Sequence, residues 1–129
     1  MALERKEYPD IAPAGPTYSR AVKAGNMLFI SGCTARGPAS QGKSMMEQLD
    51  VTLGRLLGVA AAEGAGPGNF AKLTCFVTSI ADYQLDSDGQ RALFAKRFQE
   101  QYPANSLIEI SALAEPGLDV EIEAIVFLD

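Results

Sequence analysis

The sequence predicts one α+β domain in the order β-β-α-β-α-β-β, a mixed sheet with both helices on one face. Three observations carry this. Segments of two-residue period lie at both ends of the chain, two segments of 3.6-residue period with capping signals lie between them, and no linker, repeat or low-complexity tract divides the 129 residues.

The first 16 residues hold Pro9, Pro13 and Pro16 without sustained alternation, which predicts an irregular N-terminal arm. Two strands follow, Tyr18 to Val22 and Met27 to Ser31. Lys23-Ala24-Gly25-Asn26 joins them as a hairpin turn in which Gly25 and Asn26 tolerate positive φ. Cys33 to Gly42, with Gly37 and Pro38, reads as a surface loop. Ser44 and Glu47 then form a capping-box pattern ahead of a stripe of Met45, Met46, Leu49, Leu53, Leu56, Leu57 and Ala60, and Gly64 should end that helix. Phe70 to Ser79 is rich in Thr, Val and Phe and reads as a strand. Ser87 with Gln90 repeats the capping signal for a second helix, whose buried face is Ala92, Leu93, Phe94 and Phe98 and which ends by Tyr102-Pro103. The last strands are Ser106 to Ala112 and Asp119 to Phe127. The uncovered face of such a sheet is most simply buried by self-association.

Composition removes whole classes of chemistry. The chain has no His, so Ser-His-Asp and Cys-His nucleophile systems and most catalytic zinc sites are excluded. Cys33 and Cys75 are too far apart for a C-x-x-C motif, and with no other thiols no metal site is expected. Eleven Lys plus Arg stand against 16 Asp plus Glu, a net charge of −5 without a basic cluster, which opposes nucleic-acid binding. The charged start and the lack of a long apolar run predict no signal peptide or membrane span. A cytoplasmic location is the expectation.

In the final strand Val120, Ile122, Ala124 and Val126 share one face and Glu121 and Glu123 the other, their Cα atoms about 7 Å apart. Two readings follow: a solvated strand face, or a crevice in which partial burial raises one carboxyl's pKa and lets it position or deprotonate a water. Cys75, within Leu73 to Val77, reads as a small buried hydrophobe. Gly64, Gly66 and Gly68 lack the lysine and the strand-to-helix context of a phosphate loop.

Four segments, in order, carry a resemblance: Tyr18-Ser19-x-Ala21-Val22-x-Ala24-Gly25-Asn26-x-Leu28-Phe29-Ile30-Ser31-Gly32, Lys72 to Thr78, Tyr102-Pro103-Ala104-x-Ser106, and Val120 to Ile125. Over residues 15 to 127 the chain resembles the Rid family, the reactive intermediate deaminases also called YjgF-like proteins. The resemblance implies a chorismate-mutase-like α+β fold and a homotrimer around a central barrel, with sites in the clefts between subunits. It also implies hydrolysis of short-lived imines or enamines to a carbonyl product and ammonia, without metal or cofactor. By the same resemblance Glu121 positions the water, Tyr18 lines the cleft, Ser31 and Gly32 border the substrate, and Glu123 is an ion-pair or interface residue.

One departure bears on substrate choice. Where deaminating members carry an arginine that grips a substrate carboxylate, this chain has Asn105. An amide offers neutral hydrogen bonds in place of a charged fork, a loss of about 2 to 5 kcal/mol for a desolvated contact. Simple 2-imino acids are therefore expected to be poor substrates, and an amino-substituted ring-cleavage product is the suggested class. Asn105, with the backbone near Ser106 and Leu107, would bind a polar group of the substrate. Arg20 and Arg36 are the two cations near enough in sequence to replace the missing one; the alternative for each is a surface arginine or an interface ion pair. Cys33 follows Gly32 and could border the cleft, with no evident activator for a nucleophilic role. The alternative to an enzyme is a non-catalytic trimer that binds a small ligand or a partner, and ribonuclease activity ranks last.

Overall fold

The structure is a computed structural model that describes residues 2–129. Six strands form one mixed sheet: β1 Leu3–Lys6, β2 Ala21–Ala24, β3 Met27–Cys33, β4 Phe70–Val77, β5 Ala104–Glu109 and β6 Val120–Phe127. Their order is β1-β2-β3-β6-β4-β5, with β4 and β5 parallel and every other pair antiparallel. The helices are α1 Met45–Ala62, α2 Ile80–Tyr83 and α3 Ser87–Phe98.

The α+β class and the mixed sheet agree with the expectation, and several details differ. Strand β5 spans Ala104–Glu109 in place of Ser106 to Ala112. Lys23 and Ala24 pair within β2, so that only Gly25 and Asn26 turn the hairpin, and Cys33 ends β3 in place of opening the loop. The N-terminal arm is not irregular throughout: Leu3–Lys6 pairs with β2 as an edge strand. Its sequence, Leu-Glu-Arg-Lys, has no apolar alternation, because the charged side chains of an edge strand face solvent. Tyr18 and Arg20 precede the hairpin instead of lying within it. Helix α3 is capped by Asp86, whose carboxylate accepts from Gly89 N at 3.0 Å, one residue before the expected Ser87. Finally, α2 is an additional single turn, capped by Ser79.

Helix α1 follows its signals. Ser44 Oγ accepts from Glu47 N at 3.2 Å, Gly64 follows the last turn at φ +80°, and Leu49, Leu53, Leu56, Val59 and Ala60 are fully buried. They pack on the inner sheet face of Leu28, Ile30, Leu73, Cys75, Val77, Val120, Ile122 and Val126. Phe98 closes the core edge-to-face with Phe70 and stacked on Phe94, and Arg97 ties α3 to Asp50 of α1 at 2.6 Å. The opposite sheet face carries Met27, Phe29, Glu121, Glu123, Ile125 and Phe127. Of these, Phe29 is 41% exposed and Phe127 50%. Among the described residues no helix is long and apolar enough to cross a membrane.

Candidate active site

The site begins with an irregularity in β3. Ile30 pairs with Ala124 and Cys33 with Ile122, so three steps on β3 face two on β6, and the extra residue is a bulge at Ser31-Gly32. Glu121 of β6 lies against that bulge. A β-carbon at Gly32 would stand 2.6 Å from Glu121 Cδ and Oε2, so the carboxyl occupies the space that any other residue would fill.

Arg20 fixes the second wall. It is 4% exposed, and its guanidinium donates from Nε to Ala12 O at 2.9 Å, from Nη2 to Pro13 O at 2.9 Å, and from Nη1 to Gly32 O at 2.9 Å and Ser31 O at 3.2 Å. One buried cation thus fastens the N-terminal segment to the bulge. Neither expected role describes it: the side chain is buried, and it bonds chiefly to backbone carbonyls, with Cys33 Sγ a further contact of Nη1 at 3.5 Å. The Tyr18 ring stands 5.5 Å from the guanidinium carbon, a cation–π contact that leaves the ring half exposed at the rim.

Tyr18, Arg20, Gly32, Cys33, Arg36 and Glu121 line one cleft of about 80 Å³. Three further contributors carry no periodic or motif signal. Arg55 reaches out of α1 and donates to Thr34 O at 2.6 Å and Arg36 O at 2.9 Å; Glu115 pairs with Arg36 at 3.4 Å; Leu118 supplies apolar wall. In sequence Arg55 is a polar helix position beside a leucine stripe, and only the approach of the 34–36 loop turns it inward. The Glu115 loop is held by buried Gln48, whose side chain donates to Gly117 O at 3.0 Å and to Asp119 Oδ2 at 3.2 Å, and accepts from Asp119 N at 2.9 Å.

The electrostatics divide the ionisable groups. Burial raises the Glu121 pKa above the ordinary glutamate range, Arg20 opposes the rise, and neighbouring Glu123 adds to it. Cys33, 1% exposed, is likewise pushed up by burial despite Arg20 and Arg55, which disfavours the thiolate, and it lines the cleft wall. Burial lowers the Arg55 pKa, and the nearby positive charges of Arg20 and Arg36 lower it further.

The remaining expected residues stand elsewhere in the single chain. Ser31 hydrogen-bonds through its hydroxyl to Ser19 O at 2.7 Å and lines shallower surface on the open sheet face. Asn105 and Leu107 line a different cleft, with Tyr83, Phe94 and Tyr102, on the helical side of β5. Ser106 points to the open face, where its hydroxyl accepts from Lys72 Nζ at 2.7 Å. Among the described residues no cluster of His, Cys, Asp and Glu suits a metal ion.

Comparison with known proteins places this geometry in context. Residues 10–128 match the model of the family described as Endoribonuclease L-PSP. A RutC family protein of Sinorhizobium fredii is 34% identical over 88% of each chain. Reactive Intermediate Deaminase A, chloroplastic, of Arabidopsis thaliana is 31% identical over 91% of this chain and 62% of its own length. The crystal structure of RidA from an Antarctic Psychrobacter superposes with a TM-score of 0.81 at 27% identity, covering 97% of this chain and all of that one.

Proposed function

The chain belongs to the Endoribonuclease L-PSP family, which also takes in proteins named reactive intermediate deaminases, and from that premise we propose that it hydrolyses the C=N bond of an imine, or of the imine tautomer of an enamine, releasing ammonia. The observation that carries the reading is the half-buried Glu121 carboxyl seated against Gly32 in a polar cleft, its basicity raised by burial.

The chemistry asks little of the protein. The C=N carbon is already electrophilic, so the site has to orient substrate, hold a water and move protons. The Glu121 carboxylate accepts a proton from water as the water oxygen bonds to that carbon, and the electron pair of the C=N bond moves to nitrogen, which takes a proton from solvent. Glu121 then passes its proton to the amino nitrogen of the carbinolamine, which leaves as ammonia while the hydroxyl releases its proton to solvent and the carbonyl forms, restoring the carboxylate. Each step balances without an oxidant, a metal or a cofactor.

The cleft on one chain, about 80 Å³, is well below the several hundred Å³ usual for a site that encloses a small molecule. The reading therefore includes a homotrimer in which a second copy supplies the missing wall and brings Asn105, Ser106 and Leu107 toward Glu121. The exposed Phe29, Phe127, Met27 and Ile108 support burial of sheet surface between copies. The absence of His and the net charge of −5 argue against ribonuclease chemistry.

With Asn105 at the motif position, ammonia release from freshly generated 2-aminoacrylate or 2-iminobutanoate should be slight, and Asn105→Arg should raise it. No gain from Asn105→Arg would show that substrate recognition has diverged by more than this side chain. Extensive RNA cleavage that follows the protein peak through purification would favour the ribonuclease reading instead.

A further inference from the structure

The cleft concentrates positive charge on a chain whose net charge is −5: it is lined by three guanidinium groups, Arg20, Arg36 and Arg55, and two carboxylates, Glu115 and Glu121. Arg20 is buried and directs four hydrogen bonds to backbone carbonyls. Arg55 differs. It donates only to Thr34 O and Arg36 O, and among the described residues it forms no ion pair. Arg36 pairs with Glu115 at 3.4 Å where both side chains are about 40% exposed, an interaction that water screens and that is readily exchanged. At that end of the cleft Arg36 thus has one exposed carboxylate partner and Arg55, among the described residues, has none.

That end is not the Glu121 end. Glu121 abuts Gly32, whereas Arg55 binds the carbonyls of Thr34 and Arg36, and two residues of extended chain span about 7 Å.

We infer that Arg36 and Arg55 form an anion subsite that takes a carboxylate of the substrate, placing it away from the C=N carbon held at Glu121. The substrate class is then an imine or enamine whose carboxylate is separated from its nitrogen-bearing carbon by a short chain. This rests on the deaminase reading for the identity of the ligand, but the subsite is tested by binding alone. An anion there relieves the mutual repulsion of the guanidinium groups and displaces Glu115 from Arg36, and the planar fork of arginine suits a carboxylate.

The test is a titration of the full-length ¹⁵N-labelled protein at low ionic strength with glutarate, and with glutaramide as the neutral counterpart of the same shape. Glutarate should saturate and shift the Nε–Hε resonances of Arg36 and Arg55, glutaramide should not, and Arg55→Gln and Arg36→Gln should each weaken glutarate binding at least tenfold. Arg36 is exposed, so Arg36→Gln keeps the test valid if Arg55→Gln fails to fold. Equal binding of glutarate and glutaramide, or unchanged glutarate affinity in folded Arg36→Gln, overturns the subsite. A protein that binds glutarate as described yet releases ammonia from no imine sinks the deaminase reading and leaves the subsite standing. One that deaminates neutral imines and ignores glutarate does the reverse.

Discussion

Gly32 and Glu121 occupy one another's space: the position a β-carbon would take at residue 32 lies 2.6 Å from the Glu121 carboxyl. The bulge in β3 and the acid of β6 are thus a single feature, since the glycine is what lets the carboxyl fold back over the strand. Gly32→Ala should displace the carboxyl while leaving the sheet intact. A displacement of about 1 Å at a reacting group can cost on the order of 100-fold in rate. Ammonia-release kinetics set beside thermal unfolding of the same variant should show kcat/KM falling much further than stability.

Glu121 should cost the fold stability at neutral pH. Its native pKa is raised, so the native state holds the proton more tightly than the unfolded chain. Stability therefore falls as pH rises from the ordinary glutamate range through the raised value. Glu121→Gln removes this cost, and its denaturant midpoint should exceed that of the wild type at pH 7, the gap closing below about pH 4. The rate of a reaction that needs the carboxylate should show the complementary loss on the acid side, beginning above the usual glutamate pKa.

Arg20→Lys should be strongly destabilising although it keeps the charge. The ammonium cannot span the carbonyls of Ala12, Pro13, Ser31 and Gly32 that the guanidinium joins, and each buried acceptor left unpaired costs about 1 to 3 kcal/mol. A loss of about 2 to 4 kcal/mol in urea unfolding is expected, with faster proteolysis of the segment before residue 20.

Gln48 acts at a distance through the Glu115 loop. Gln48→Leu fits the helix but abandons Asp119 N and the carbonyls of Lys43 and Gly117, a penalty of about 1 to 3 kcal/mol. Hydrogen exchange should quicken at Asp119 and through residues 115–118 while the core strands keep their protection.

Much of this fold was legible in the sequence because its signals are local. The Ser44 cap, the leucine stripe of α1 and the alternation of β6 each reappear in the structure, and Ile122 and Val126 of β6 bury as their period requires. The partition of Glu121 from the core face was legible too. What the sequence concealed arises from contacts between distant segments. Leu3–Lys6 becomes a strand because β2 offers it an edge, Arg20 is buried because two loops present carbonyls to it, and Arg55 enters the cleft because the 34–36 loop crosses its helix. Position alone gives no sign of any of these. Asn105 shows the opposite limit, since its motif marks it for the site while the single chain holds it in a separate cleft.

The most direct measurement is the rate of ammonia release from an imine generated in situ that carries no carboxylate on its C=N carbon, compared between wild type and Glu121→Gln at matched oligomeric state. The wild type should accelerate release well above the spontaneous rate, and Glu121→Gln should lose at least 100-fold of that acceleration while remaining folded. Equal acceleration by the two proteins would contradict the role given to Glu121.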